Sequence, residues 1–108
     1  MTDPSVPKHL GKPGRALWRS VVAEYDLQPH QFVLLEAAGM ARDRMMAAAE
    51  AIASDGLIVA DRYGAAKASP AVAIERDSRL AVARCLRELA LEVDGPAETA
   101  RPPRIRAV

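Results

Sequence analysis

Apolar residues recur at helical spacing in three stretches of the chain, and proline and glycine punctuate the gaps between them. Leu17, Trp18, Val21, Val22 and Tyr25 share one face of a first helix, while Arg15, Arg19 and Asp26 lie off it. Pro29 suits the first turn of a second helix, because its missing amide proton would have no intrahelical partner there, and Gly56 suits the stop. Between them Leu34, Ala38, Ala41, Met45, Ala48 and Ile52 alternate spacings of four and three, the seam of a long helix packed almost parallel to another. Glu36, Asp43 and Glu50 repeat every seven residues on the opposite side and read as a solvated acidic stripe.

Leu57, Ile58, Val59 and Ala60 form a short apolar run, followed by a turn signal at Arg62-Tyr63-Gly64, which predicts a small β-hairpin or a loop. Ser69 can cap and Pro70 can open a third helix, expected to run to about Glu92. Its core face would be Ile74, Ser78, Ala81, Val82, Cys85 and Leu89, with Cys85 a small apolar residue rather than a nucleophile. Leu80 and Leu91 lie on another side, beside Arg76, Arg84 and Arg87, and are candidates for an oligomer interface.

The fold class that follows is mainly α: a short N-terminal helix plus an antiparallel pair of long helices joined by a small β-hairpin or loop. The long helices would measure about 37 and 34 Å, matched lengths for a hairpin. Two such helices bury too little on their own, so the pattern predicts an oligomer-forming protein. Residues 1–13, with Pro4, Pro7, Pro13 and Gly11, read as a flexible basic arm; 14–92 as the helical domain; and 93–108, with Pro96, Pro102 and Pro103, as a flexible basic C-terminal tail.

The chain has 108 residues, enough for one domain with a modest core, and only four aromatics, Trp18, Tyr25, Phe32 and Tyr63. Trp18 is therefore the natural core anchor. The net charge of +1 gives no general attraction to nucleic acid, but its distribution is uneven. Residues 1–19 set Lys8, Lys12, Arg15 and Arg19 against Asp3 alone, whereas residues 20–61 set seven carboxylates against Arg42 and Arg44. The cluster on the arm and first helix could neutralise phosphates, with solubility as the competing explanation.

Other chemistry is poorly represented. Cys85 is the single cysteine, so no disulfide closes within the chain. His9 and His30 are far apart and lack cysteine partners at zinc-site spacing, so no metal is expected. Neither a phosphate-cradling glycine loop nor a nucleophile motif around Ser20, Ser54, Ser69 or Ser78 is evident, and the expectation is a non-enzyme without cofactors. The opening residues lack a signal-peptide layout and no apolar run approaches the ~20 residues that span a bilayer, which predicts a cytoplasmic protein with no membrane partner.

The order of these features resembles that of short bacteriophage terminase small subunits. The resemblance rests on Leu10-Gly11-Lys12-Pro13-Gly14-Arg15-Ala16-Leu17-Trp18 with Tyr25-Asp26-Leu27, on Leu34-Leu35-Glu36-Ala37-Ala38, on Asp55-Gly56-Leu57-Ile58-Val59, Tyr63-Gly64 and Ser69-Pro70, and on Leu86-Arg87-Glu88-Leu89-Ala90-Leu91. It spans residues 10–92, and it is carried by order and spacing rather than by any one motif. Ser69 departs from the usual histidine before proline, and Ala90 from a common glycine between two leucines, which would let the last helix run longer.

The resemblance implies a protein that binds viral double-stranded DNA at the packaging start site in the host cytoplasm. It further implies a ring-like homo-oligomer and delivery of DNA to a terminase large subunit carrying the ATPase and nuclease. Lys8, Lys12, Arg15, Arg19, Lys67, Arg101, Arg104 and Arg106 are then the candidate DNA contacts. Two alternatives remain at this point: a helical protein–protein adaptor that never touches DNA, and a small DNA-binding regulator, for which helix two is too acidic to serve as recognition helix.

Overall fold

The computed structural model describes residues 5–91, and the expected tail at 93–108 lies outside them. Three helices and one two-stranded sheet follow in the order α1 (Lys12–Val22), α2 (Pro29–Asp55), β1 (Ile58–Ala60), β2 (Ala66–Ala68) and α3 (Pro70–Leu89). The protein is mainly helical with a small antiparallel sheet.

Helix α2 starts where Pro29 permits, and Gln28 and Gln31 close a reciprocal cap: the Gln28 side chain accepts from the Gln31 N–H, and Gln31 Oε1 accepts from the Gln28 N–H at 2.8 Å. Gly56, at φ +87°, stops the helix in a backbone conformation that side chains disfavour. The hairpin then pairs Ile58 with Ala68, Val59 with Lys67 and Ala60 with Ala66. Asp61 organises its turn, its carboxylate accepting from the Tyr63 and Ala65 N–H groups at 2.8 and 3.0 Å. Ser69 Oγ caps α3 by accepting from the Ala71 N–H at 3.2 Å.

Helices α2 and α3 are antiparallel. The Ser69 N–H reaches the Leu57 carbonyl at one end of the pair, and Gln31 Nε2 reaches the Leu89 carbonyl at the other. The core is concentrated at the second end, where Leu10, Trp18, Val21, Leu27, Leu35 and Leu89 form one buried cluster and the Trp18 and Phe32 rings lie 5.6 Å apart. Towards the hairpin the fully buried residues of the helix pair are small, Ala41, Ala48 and Ser78. Ile74, expected in the core face, is 48 % exposed.

Two boundaries differ from the sequence reading. Helix α1 opens at Lys12, and Leu10 before it is only 2 % exposed, so the segment from Leu10 to Pro13 is packed structure rather than arm. The cause is a close approach of α1 to α2 that two glycines permit. At the other end α3 stops at Leu89, because Ala90 takes the left-handed conformation at φ +50°. The turn brings Leu91 back against the core cluster, where it is half-buried. Leu91 therefore does not lie with Leu80, which is 54 % exposed.

Candidate nucleic-acid interface

The expected basic cluster is placed by the contact between α1 and α2. Gly14 lies against Gly39, and a Cβ built on Gly14 would stand 2.6 Å from the Gly39 carbonyl oxygen. At this distance Asp43 of α2 reaches the start of α1, where Oδ2 accepts from the Gly11 N–H at 2.6 Å and Oδ1 from the Gly14 N–H at 2.8 Å. A carboxylate from another helix thus caps α1, whose own N-cap residue, Gly11, has no side chain to do so. Asp43 is not part of a solvated stripe, and its neighbour Glu36 is also engaged, by His9 Nε2 at 3.0 Å. Glu50 lines, with His9, Lys12 and Asp43, a groove of about 540 Å³.

These carboxylates change the environment of the candidate cations. Arg15 is half-buried and folds back on the chain, donating from Nε to the Leu10 carbonyl at 2.7 Å and from Nη2 to the Lys8 carbonyl at 3.0 Å. Its first role is to brace the segment that precedes α1. Lys12 is exposed but shares its groove with Asp43 and Glu50. Lys8 and Arg19 are exposed, and Lys67 is exposed on β2, far along the chain from the others. Arg101, Arg104 and Arg106 lie outside the described residues.

A second basic feature, on the side of the third helix where the sequence places Arg76, Arg84 and Arg87, was expected as an oligomer flank rather than a DNA contact. Arg76, Arg84 and Arg87 are exposed on α3 opposite the face that buries Ser78 and Leu89, and Arg79 is exposed at the side of the helix. Arg76 and Arg87 are eleven residues apart, about three turns, so they stand nearly in line about 17 Å from each other along the axis. Arg79 and Arg84 flank that line, with Ala73, Leu80 and Ala83 filling the arc. Carboxylates occur at its borders, where Arg79 pairs with Glu75 at 3.2 Å and Arg76 Nε lies 3.4 Å from Asp77. Both pairs are solvated and worth little energetically. Helical periodicity alone groups Arg76, Arg84 and Arg87; Arg79, at the edge of the row, is the member it leaves out.

Among the described residues, no group of three or more histidine, cysteine, aspartate or glutamate side chains could hold a metal ion, and no helix is long and apolar enough to cross a membrane. Compared with known proteins, the chain matches no family model, no curated sequence and no solved structure.

Proposed function

We propose that this chain is a non-catalytic DNA-packaging adaptor of the terminase small-subunit kind. It contacts double-stranded DNA, assembles with copies of itself, and presents the DNA to a large subunit that supplies the ATPase and nuclease. The observation that carries the DNA part is the arginine row on the solvent face of α3. Guanidinium groups on a rigid helix can each take a phosphate with charge-assisted hydrogen bonds, and the small Ala83 stands among them beside Leu80. The recognition of a packaging start site and the large-subunit partner come from the sequence resemblance.

Binding of the full chain to duplex DNA over a salt series tests this reading. Each phosphate neutralised adds roughly 0.9 to the slope of log affinity against log salt. Replacing Arg84 and Arg87 together by alanine should therefore weaken binding and reduce the slope by about two contacts' worth, or roughly 1.8. Binding that ignores salt and these substitutions would end the phosphate-contact model.

One observation favours a second reading. Ile74 and Leu80 are 48 and 54 % exposed on α3, and apolar side chains beside arginines also suit a protein partner. A pure protein adaptor would co-purify with that partner and leave DNA mobility unchanged in a gel.

A further inference from the structure

The arginine row on α3 is bordered by carboxylates on both sides, and that border limits how a duplex can be held. With about 100° of turn between successive residues, Arg76 and Arg87 lead, and Leu80 and Ala83 stand within about 40° of Arg76. Arg79 and Arg84 follow at about 60° and 80° to either side. Behind Arg79 comes Glu75, at about 100°, and behind Arg84 come Asp77 and Glu88, at about 100° and 120°. Asp77 and Glu88 are exposed, and Glu75 is half-buried and paired with Arg79. The helix thus presents cations in front and anions along both flanks.

A helix that reads base edges lies inside the major groove, which is about 12 Å wide, and a helix with its side chains is about 10–12 Å across. It fills the groove, so the residues about a quarter-turn from its leading line face the phosphates of the two strands. On α3 those residues are Glu75 on one side and Asp77 and Glu88 on the other. Insertion would set carboxylates against phosphates along both walls, a like-charge meeting that opposes binding. The leading line of Arg76, Leu80, Ala83 and Arg87 also offers a base no side-chain amide or hydroxyl. Contact from outside the groove reverses the balance. The arginine tips then reach the duplex first, and the carboxylates, set back on the flanks, stay further from the phosphates than the guanidinium groups do. The row, about 17 Å from Arg76 to Arg87, is longer than either groove is wide, so a helix laid across a groove has a guanidinium for each strand.

We infer that the α3 row docks on the outside of the double helix and holds its phosphodiester backbone without reading base sequence, so that any preference for a packaging start site has its source outside α3. This docking mode deepens the DNA part of the proposed function and rests on it.

Titration of the full chain with three labelled duplexes of equal length tests it. One is rich in A·T, one is rich in G·C, and the third is the G·C duplex with 7-deazaguanine for guanine, which removes the N7 acceptor from the major groove and leaves the backbone unchanged. Affinities should agree within about threefold at each salt concentration, less than one base-reading contact confers. The double variant Arg84→Ala with Arg87→Ala, changed at exposed positions, should keep its helix content by circular dichroism. It should weaken all three complexes by one common factor, on the order of tenfold or more near ~0.1 M salt. A preference beyond about tenfold that the double variant abolishes, or a loss with 7-deazaguanine that the double variant no longer shows, means that the row reads bases and overturns the inference while DNA binding stands. A preference that the double variant keeps has its source outside the row and agrees with the inference. Duplex binding that is absent, or that the double variant leaves intact, overturns the phosphate-contact reading itself.

Discussion

Two glycine-to-alanine substitutions, identical in chemistry, should have different effects because their neighbours differ. In a helix interior alanine is favoured over glycine by about 1 kcal/mol, and less in the first turn, where Gly14 stands. At Gly14 the new methyl would sit 2.6 Å from the Gly39 carbonyl oxygen and 2.9 Å from Asp43 Oδ2. Carbon–oxygen contacts normally begin near ~3.3 Å, so α1 would have to withdraw from α2 by several tenths of an ångström. Withdrawal stretches both hydrogen bonds to Asp43. Overpacking costs ~1–3 kcal/mol and loosened charge-assisted bonds about 1 more, so Gly14→Ala should destabilise by about 2 kcal/mol after the propensity gain. For a domain of this size that is a fall in Tm of roughly 8–16 °C. At Gly39 the methyl would meet Leu10 Cδ1 and Cδ2 at 3.0 and 3.1 Å, the movable ends of a side chain, and the full propensity gain applies. Gly39→Ala should fall within about 1 kcal/mol of wild type. Urea unfolding followed by helical circular dichroism, at one fixed protein concentration, measures both. A Gly14→Ala chain as stable as wild type, or less affected than Gly39→Ala, would show that backbone proximity does not set the α1–α2 contact.

Asp43→Asn keeps the shape of the side chain but leaves one acceptor for two N–H groups, and should cost about 1–2 kcal/mol in the same unfolding assay, most of it in α1. Ala90→Gly should stabilise the chain by roughly 1 kcal/mol, because Ala90 holds a left-handed conformation that costs an L-residue that much and glycine adopts freely; a lower Tm would contradict the cap geometry. Leu91→Ala should cost about 1–2 kcal/mol, part of the range for a fully buried leucine, with no change in sedimentation, since Leu91 packs within the chain.

The elements that carry their own boundary signals were legible. Pro29 and Gly56 bracket α2, Ser69-Pro70 opens α3, and Trp18, Val21 and their neighbours give α1 its buried face. Features that depend on distant partners were not. Gly11 and Gly14 read locally as loop residues, and only Asp43, 29 and 32 positions away, makes them the start of a helix. For the same reason the heptad spacing of Glu36, Asp43 and Glu50 located a face correctly, with Glu50 exposed on it as expected, but not the capture of Asp43 by the start of α1. Ala90 offers no local hint of a left-handed turn, and the helix ends there because Leu91 gains the core and Gln31 takes the Leu89 carbonyl. The arginine row on α3 was legible by periodicity, and required only that charge be assigned to helix faces.

Where DNA would be held follows from which cations are already committed. A phosphate approaching Lys12 within a Debye length of about 8 Å also meets Asp43 and Glu50, so attraction and repulsion largely offset each other there. Arg15 could turn outward only by leaving the Leu10 and Lys8 carbonyls, which would release the segment that Leu10 anchors in the core. On α3 the carboxylates stand at the borders of the row, and the ion pairs formed there, with an exposed Asp77 and a half-buried Glu75, leave Arg84 and Arg87 without a carboxylate partner among the described residues. Substitution of Arg15 should therefore act first on stability, through the segment that precedes α1, whereas on the proposed function substitutions in the α3 row should act first on DNA affinity and its salt dependence. On the proposed function, folding and binding would fall to two separate basic regions of one small domain, and the two assays would separate them residue by residue.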